Sequence, residues 1–137
     1  MRIFVDTSAF VAAVNESDKN YARATEALAA ADELLSTDHV LVECWFLIRS
    51  RSGRSAAERF WSSLRGGSAG LQTVLPTDLD AAWKIGQDFP DQDFSLVDRT
   101  SFAVMERLGI TAVASFDHHF AIYRYGPRRD RAFEIRR

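Results

Sequence analysis

Three scarcities narrow the reading before any motif is considered. The 137-residue chain has a single cysteine, Cys44, so no disulfide can close within it, and a reducing, cytoplasmic setting is expected. It has no long apolar run. The longest unbroken one is Ala9–Val14, far short of the ~20 residues a membrane-spanning helix needs, and Asp6 comes too early for a signal-peptide core. Nor is there an excess of positive charge: the net charge is −2, and Lys19 and Lys84 are the only lysines. A protein that held nucleic acid on a broad basic surface would carry more. A phosphate-rich partner would have to be held by a local arginine patch or through a metal.

What is present reads as one α/β domain spanning 1–137, with a mainly parallel sheet. Short apolar runs alternate with stretches of helical period, and the length suits a single core. Strands are expected at Ile3–Val5, Glu33–Ser36, 71–76 (LQTVLP, closed by Pro76), 110–115 (ITAVAS) and 132–135 (AFEI). Helices are expected at Thr7–Val14, Lys19–Ala31, His39–Ser50, Ser55–Leu64, Thr77–Phe89 and 95–109. Thr77 or Asp78 would cap the fifth helix, whose inner face would be Leu79, Ala82, Trp83 and Gly86. Ser95 and Gly109 would cap the sixth at its two ends.

Most acids, including Asp78, Asp80, Asp88 and Asp91, fall on helix ends and loops and are expected to be solvated. Four do not. Asp6 follows IFV, Glu43 lies inside HVLVECWFLI, Asp98 inside FSLVDRTSFAVM, and Asp117 after ITAVASF. A carboxylate buried without a partner is costly. Each has a bland explanation. Asp6 can cap the first helix, Ser95 and Asp98 match a capping box, Asp117 can cap the turn at His118–Phe120, and Glu43 can pair with Arg49 or Arg99. The sharp explanation is one hard divalent cation held by oxygen ligands, such as Mg²⁺ or Mn²⁺, able to polarise a phosphoryl oxygen and activate water. In open α/β sheets function gathers at the carboxyl ends of the strands, where Asp6 and Asp117 both fall. Zinc is not indicated. There is no cysteine pair, and His118 and His119, being adjacent, would not both face one ion from a regular element.

These residues resemble the PIN-domain ribonucleases, and within them the VapC-type toxins of toxin–antitoxin pairs. VDTSAF is similar to the family's opening strand, which ends in an acid followed by hydroxyls: Asp6, with Ser8 or Thr7 in support. LVECWFL supplies the second acid, Glu43. DFSLVDRTSFAVMERLGI supplies the third, Asp98, and SFDHHF the fourth, Asp117, with Ser115 where the family usually has threonine. Asp93 is a further candidate near the site. The resemblance implies a PIN fold and Mg²⁺-dependent (Mn²⁺-substitutable) endoribonuclease activity. Asp6 and Asp98 would be direct metal ligands, and Glu43 and Asp117 direct or water-mediated ones. It also implies an RNA substrate, a small antitoxin partner and a homodimer, with the helices in Thr7–Ala31 and His39–Leu64 offering the apolar surface. The alternative is a PIN scaffold that binds RNA or protein without turnover.

Two other aspartate-based α/β families are excluded by residues. A haloacid-dehalogenase-like phosphatase wants a second aspartate where Ser8 stands, and a receiver domain wants a late lysine that this chain lacks. GGSAG (66–70) precedes a strand and has no lysine, so it is not a phosphate-binding loop. Trp45, Trp61 and Trp83 are expected in the core or an interface, and Cys44, turned about 100° from Glu43 around the helix, as a packed thiol. Of the two arginine clusters, the tail (Arg124, Arg128, Arg129) is the better candidate for RNA contact, ahead of Arg49, Arg51 and Arg54.

Overall fold

A computed structural model describes all residues, Met1–Arg137. Five strands form one sheet in the order β3-β2-β1-β4-β5, every neighbouring pair parallel. They are β1 (Arg2–Val5), β2 (Glu33–Thr37), β3 (Gly70–Gln72), β4 (Ala112–Ala114) and β5 (Glu134–Arg136). The helices are α1 (Thr7–Ala13), α2 (Tyr21–Ala29), α3 (Asp38–Ser52), α4 (Arg54–Arg65), α5 (Pro76–Asp88), α6 (Leu96–Leu108) and a single turn, α7 (His119–Ile122). This is the expected α/β domain with a parallel sheet.

The strands that position the site are the two central ones, β1 and β4. Ile3, Phe4, Val5, Ala112, Val113 and Ala114 are all buried, which is why each reads as a continuous apolar run rather than an alternating one. They pair with Val5 opposite Ala114, and the Asp6 N–H donates to the Ala114 carbonyl at 3.1 Å. The register therefore brings Asp6 and the segment after Ala114 to one edge of the sheet.

Several boundaries differ from expectation. The third strand ends at Gln72, and Pro76 does not close it. Pro76 opens α5 instead, because proline at the first helical position sacrifices no hydrogen bond. Leu75 is the residue before that helix, and Asp78 reaches back to accept from its N–H at 2.8 Å. The buried face of α5 is Asp78, Ala82 and Ile85; Leu79 and Trp83 point outward, Trp83 at 71 % exposure. The last strand lies at Glu134–Arg136 rather than 132–135, since Phe133 is drawn into the core just before it. Asp78 is not solvated. It is 2 % exposed and meets Arg107 of α6 in a two-pronged pair, Nε to Oδ1 at 2.9 Å and Nη2 to Oδ2 at 3.0 Å. Asp88 is likewise paired, with Lys84 and Arg129.

Candidate active site

Asp6, Glu43, Asp98 and Asp117 line one cleft of about 440 Å³ at the carboxyl edge of the sheet, together with Thr7, Ser8, Ser95 and His119. Each aspartate arrives there by holding a backbone N–H at the start of a helix. Asp6 precedes α1 and accepts from the Ser8 N–H at 3.4 Å. Asp98 forms the expected capping box at the start of α6. The Ser95 N–H donates to Asp98 Oδ2, and the Asp98 N–H donates to Ser95 Oγ, both at 3.0 Å. Asp117 Oδ1 accepts from the His119 N–H at 2.9 Å in the turn of α7. The bland and sharp readings of these residues are thus not alternatives: one oxygen of each is used for capping.

The other oxygens are free. The three hydrogen bonds to Asp6 all land on Oδ2, from Ser8 N–H and from the hydroxyls of Ser8 (2.8 Å) and Ser115 (3.0 Å). Both bonds to Asp98 land on Oδ2, the second from His119 Nδ1 at 2.7 Å. Those to Asp117 land on Oδ1. Asp6 Oδ1, Asp98 Oδ1 and Asp117 Oδ2 meet no protein donor.

The serine hydroxyls also tie the site's two halves together. Ser8 Oγ donates to Asp6 and accepts from the Phe116 N–H at 2.9 Å. Ser115 Oγ donates to Asp6 and accepts from the Asp117 N–H at 3.0 Å. Ser115 thus supplies from this position the hydroxyl that a threonine would. Thr7 lines the cleft but its buried Oγ1 has no partner; its carbonyl is the acceptor nearest Cys44 Sγ, at 4.0 Å. Burial raises the Cys44 thiol well above its ordinary pKa, consistent with a packed thiol.

Asp6 and Asp98 are 3 % and 6 % exposed, and no lysine or arginine pairs with either. Burial pushes the Asp6 carboxyl up to about 6, against the opposing hydrogen bonds of Ser8 and Ser115, and the charge of Asp98 adds to the rise. Burial also raises Asp98, and the charge of Asp117 works in the same direction, outweighing the hydrogen bonds from Ser95 and His119. Glu43 makes no ion pair. The two arginines that could have met it are engaged elsewhere: Arg49 lies over Trp45 at 6.0 Å, and Arg99 Nε donates to the Phe94 carbonyl. Desolvated like charges with uncapped oxygens suit a hard divalent cation, so the donor set fits the expected metal.

Not every candidate converges. Asp93 is exposed and does not line the cleft, nor do Arg124, Arg128 and Arg129. The guanidinium of Arg124 donates to the carbonyls of Ala121, Ile122 and Tyr123, and that of Arg129 to Asp88 and the Tyr123 hydroxyl.

The residue that sequence reasoning missed is His119, whose ring is held edge-on by Phe94 at 5.3 Å while its Nδ1 binds Asp98. The adjacent-histidine argument also fails locally. The chain is irregular between β4 and α7, and the ligand atoms of Asp117, His118 and His119 lie within 4.8 Å of one another. The available signal was the spacing in SFDHHF, which puts His119 two residues past an acid already singled out. Asp18 and Asn20 also line the cleft and carried no signal, because only folding brings their segments there; Arg51, which the sequence ranked behind the tail for RNA contact, lines it too.

Residues 3–124 match the PIN domain. The chain is 34% identical over 126 residues to the 23S rRNA-specific endonuclease VapC20 of Mycobacterium tuberculosis, covering 87% of this chain and 92% of that protein. It is 24% identical over 124 residues to ribonuclease VapC26 of the same organism, covering 89% and 92%. The crystal structure of VapC20, described as a sarcin-ricin loop cleaving toxin, superimposes with a TM-score of 0.80 at 31% identity, covering 85% of this chain and 90% of that one. The fold is also that of VapBC2 from Rickettsia felis bound to a promoter DNA fragment, at a TM-score of 0.66 and 11% identity, covering 86% and 89%. With its acids gathered at the carboxyl edge of a parallel sheet and this likeness running over most of its length, the chain belongs to the PIN-domain family and, within it, to the VapC endonucleases.

Proposed function

We propose that this protein is a divalent-metal-dependent endoribonuclease, the toxin of a toxin–antitoxin pair, whose substrate is a structured RNA of the ribosomal kind cleaved by VapC20. The observation that carries it is the set of three buried or half-buried aspartates, each with one oxygen held by a protein donor and the other left open on the same cleft. Asp6 and Asp98 would hold the cation directly, with Glu43 and Asp117 directly or through water. Mg²⁺, with Mn²⁺ as substitute, suits a set made of oxygens. Bound there, such an ion polarises the phosphoryl group and lowers the pKa of a water.

The chain's own residues do the rest. Ser8 and Ser115 hold Asp6 Oδ2 and so aim Oδ1 at the cleft. Ser95 and His119 do the same for Asp98. Phe94 keeps the His119 ring from turning away. Hydrolysis of a mixed RNA pool by the purified protein with Mn²⁺, abolished by chelator, is the expected result; no cleavage with Mn²⁺ or Mg²⁺ would leave the binding-only reading.

The partner surface rests on two apolar features of the early helices. Val42, Phe46 and Trp61 are exposed on α3 and α4. A groove between α1, α2 and α4 is lined by Phe10, Val14, Leu28, Leu34 and Phe60. Faces of this kind mark protein interaction sites, and a homodimer together with a small antitoxin accounts for both. No helix is long and apolar enough to cross a membrane, and the single buried thiol fits a cytoplasmic protein. Growth arrest on expressing the chain alone, relieved by its antitoxin, is the expected phenotype. Normal growth with abundant soluble protein would remove the toxin role.

A further inference from the structure

Most of the chemistry on the cleft wall is acidic: Asp6, Asp18, Glu43, Asp98 and Asp117 all face it. RNA is itself a polyanion, so something else must hold it there. Among the non-acidic liners, His119 is already tied to Asp98, which leaves Arg51 as the one arginine and Phe116 as the one phenylalanine on the cleft. Arg51 stands on the last turn of α3, is exposed, and makes no ion pair or side-chain hydrogen bond with the acids that share its cleft. Phe116 is half-buried at the rim of the core. Its N–H donates to Ser8 Oγ at 2.9 Å, the hydroxyl that donates to Asp6 Oδ2 at 2.8 Å, so Phe116 is fixed with respect to Asp6. Arg23, itself held by Asn20 Oδ1 at 2.8 Å, sets its guanidinium 5.5 Å from the ring centroid. Arg23 does not line the cleft and Phe116 does, so the guanidinium holds the ring from outside the cleft.

We propose that Phe116 and Arg51 form a two-point nucleotide clamp: the ring stacks a nucleobase unstacked from the RNA beside the scissile phosphate, and Arg51 holds a neighbouring phosphate. RNA is read chiefly at unstacked bases laid on aromatic side chains, and such stacking accepts any base. The clamp accounts for a nuclease of net negative charge, because one cation at the cleft replaces a broad basic surface. It also moves the RNA contact from the tail, where the guanidinium groups of Arg124 and Arg129 are already committed to their own fold, to the end of α3. The inference rests on the nuclease reading, but its test does not require turnover.

The probe is a short single-stranded RNA carrying 2-aminopurine, titrated in Ca²⁺ without Mn²⁺ or Mg²⁺, with the RNA shown intact on a gel. Wild type should quench the fluorophore by stacking. Phe116→Leu should abolish the quench and weaken binding about tenfold, while Phe116→Trp keeps both, and unchanged melting temperatures show that the folds are intact. Arg51→Gln should keep the quench, weaken binding and flatten the slope of log affinity against log salt by about 0.7, the loss of one phosphate contact on a single strand. An undiminished quench with Phe116→Leu, an unchanged salt slope with Arg51→Gln, or no binding by wild type overturns the clamp. Wild-type binding with the expected variant effects, but no cleavage in Mn²⁺, overturns the nuclease reading and leaves the clamp standing.

Discussion

Asp78 and Asp98 open their helices in the same way. Each sits at the third helical position and reaches back to the N–H three residues before it, Asp78 to Leu75 at 2.8 Å and Asp98 to Ser95 at 3.0 Å. Both are buried. Their affinities for a proton nevertheless shift in opposite directions. Burial works to raise Asp78, but the Arg107 fork and the Leu75 N–H outweigh it and hold its carboxyl below the usual range. Burial raises Asp98 and the charge of Asp117 adds to the rise, outweighing the hydrogen bonds of Ser95 and His119 and the pull of the His119 ring, and no arginine meets it. Arg107 occupies both oxygens of Asp78, whereas Asp98 keeps Oδ1 open. A satisfied acid is a structural element; an acid with one oxygen unsatisfied, among others like it, is a ligand in waiting.

The largest expected effect breaks the comparison on the cleft side. Asp98→Asn should reduce Mn²⁺-dependent RNA cleavage to background with an unchanged circular-dichroism spectrum, because an amide keeps the cap but is a poor ligand for a hard cation. Asp78→Asn should leave the cleavage of folded protein near wild type, since it lies outside the cleft. Comparable cleavage losses in the two variants would erase the distinction.

Stability should separate the two sites in the opposite sense. Asp78→Ala removes a buried cap and leaves Arg107 without its partner. A loss of about 2 kcal/mol in urea denaturation is expected, below the usual cost of breaking a fully buried pair because Arg107 is partly exposed. Adding Mn²⁺ should not restore it.

In the metal-free protein, Asp6→Asn should instead stabilise. A carboxyl whose folded pKa of about 6 exceeds its unfolded value near ~4 binds its proton more tightly when folded. Its cost is therefore absent below pH ~4, grows as pH rises towards the folded value, and is complete at neutral pH. Two units correspond to about 2–3 kcal/mol at most. Denaturation of wild type and Asp6→Asn in chelator across this window should show wild type losing stability and the variant losing less, the remainder coming from Asp98, which burial raises as well. Mn²⁺ should recover the wild type by binding only the folded form, and a variant no more stable than wild type at pH 7 would contradict the charge argument.

The smallest effect concerns the residue that orients Asp98. His119→Ala should weaken Mn²⁺ binding about tenfold, the usual scale for losing a group that orients a ligand, read as a rightward shift in thermal-melt titrations. His119→Gln, able to donate a comparable hydrogen bond, should recover part of it.

Local rules made much of this molecule legible. The apolar runs of β1 and β4, the caps Ser95 and Gly109, and the apolar stretch around Glu43 all mark elements that formed close to where their residues indicated. The boundary errors came from one rule overriding another. Pro76 ends a strand by one rule and begins a helix by another, and the backbone took the second. The outward turn of Trp83 follows from the burial of Asp78 on the opposite side of α5, which a hydrophobic-stripe reading does not anticipate.

What the sequence determined by itself is whatever depends on neighbours within a few residues: which segments are strands and helices, and which backbone N–H groups at the helix starts Asp6, Asp98 and Asp117 are placed to hold. What only the tertiary structure decided is which oxygen of each acid stays free and which acid acquires a cation. Arg107 lies 29 residues from Asp78, and Ser115 lies 109 from Asp6. The charge on a buried carboxyl is set by Coulomb and hydrogen-bond partners at a few ångströms, and distance along the chain does not encode distance in space.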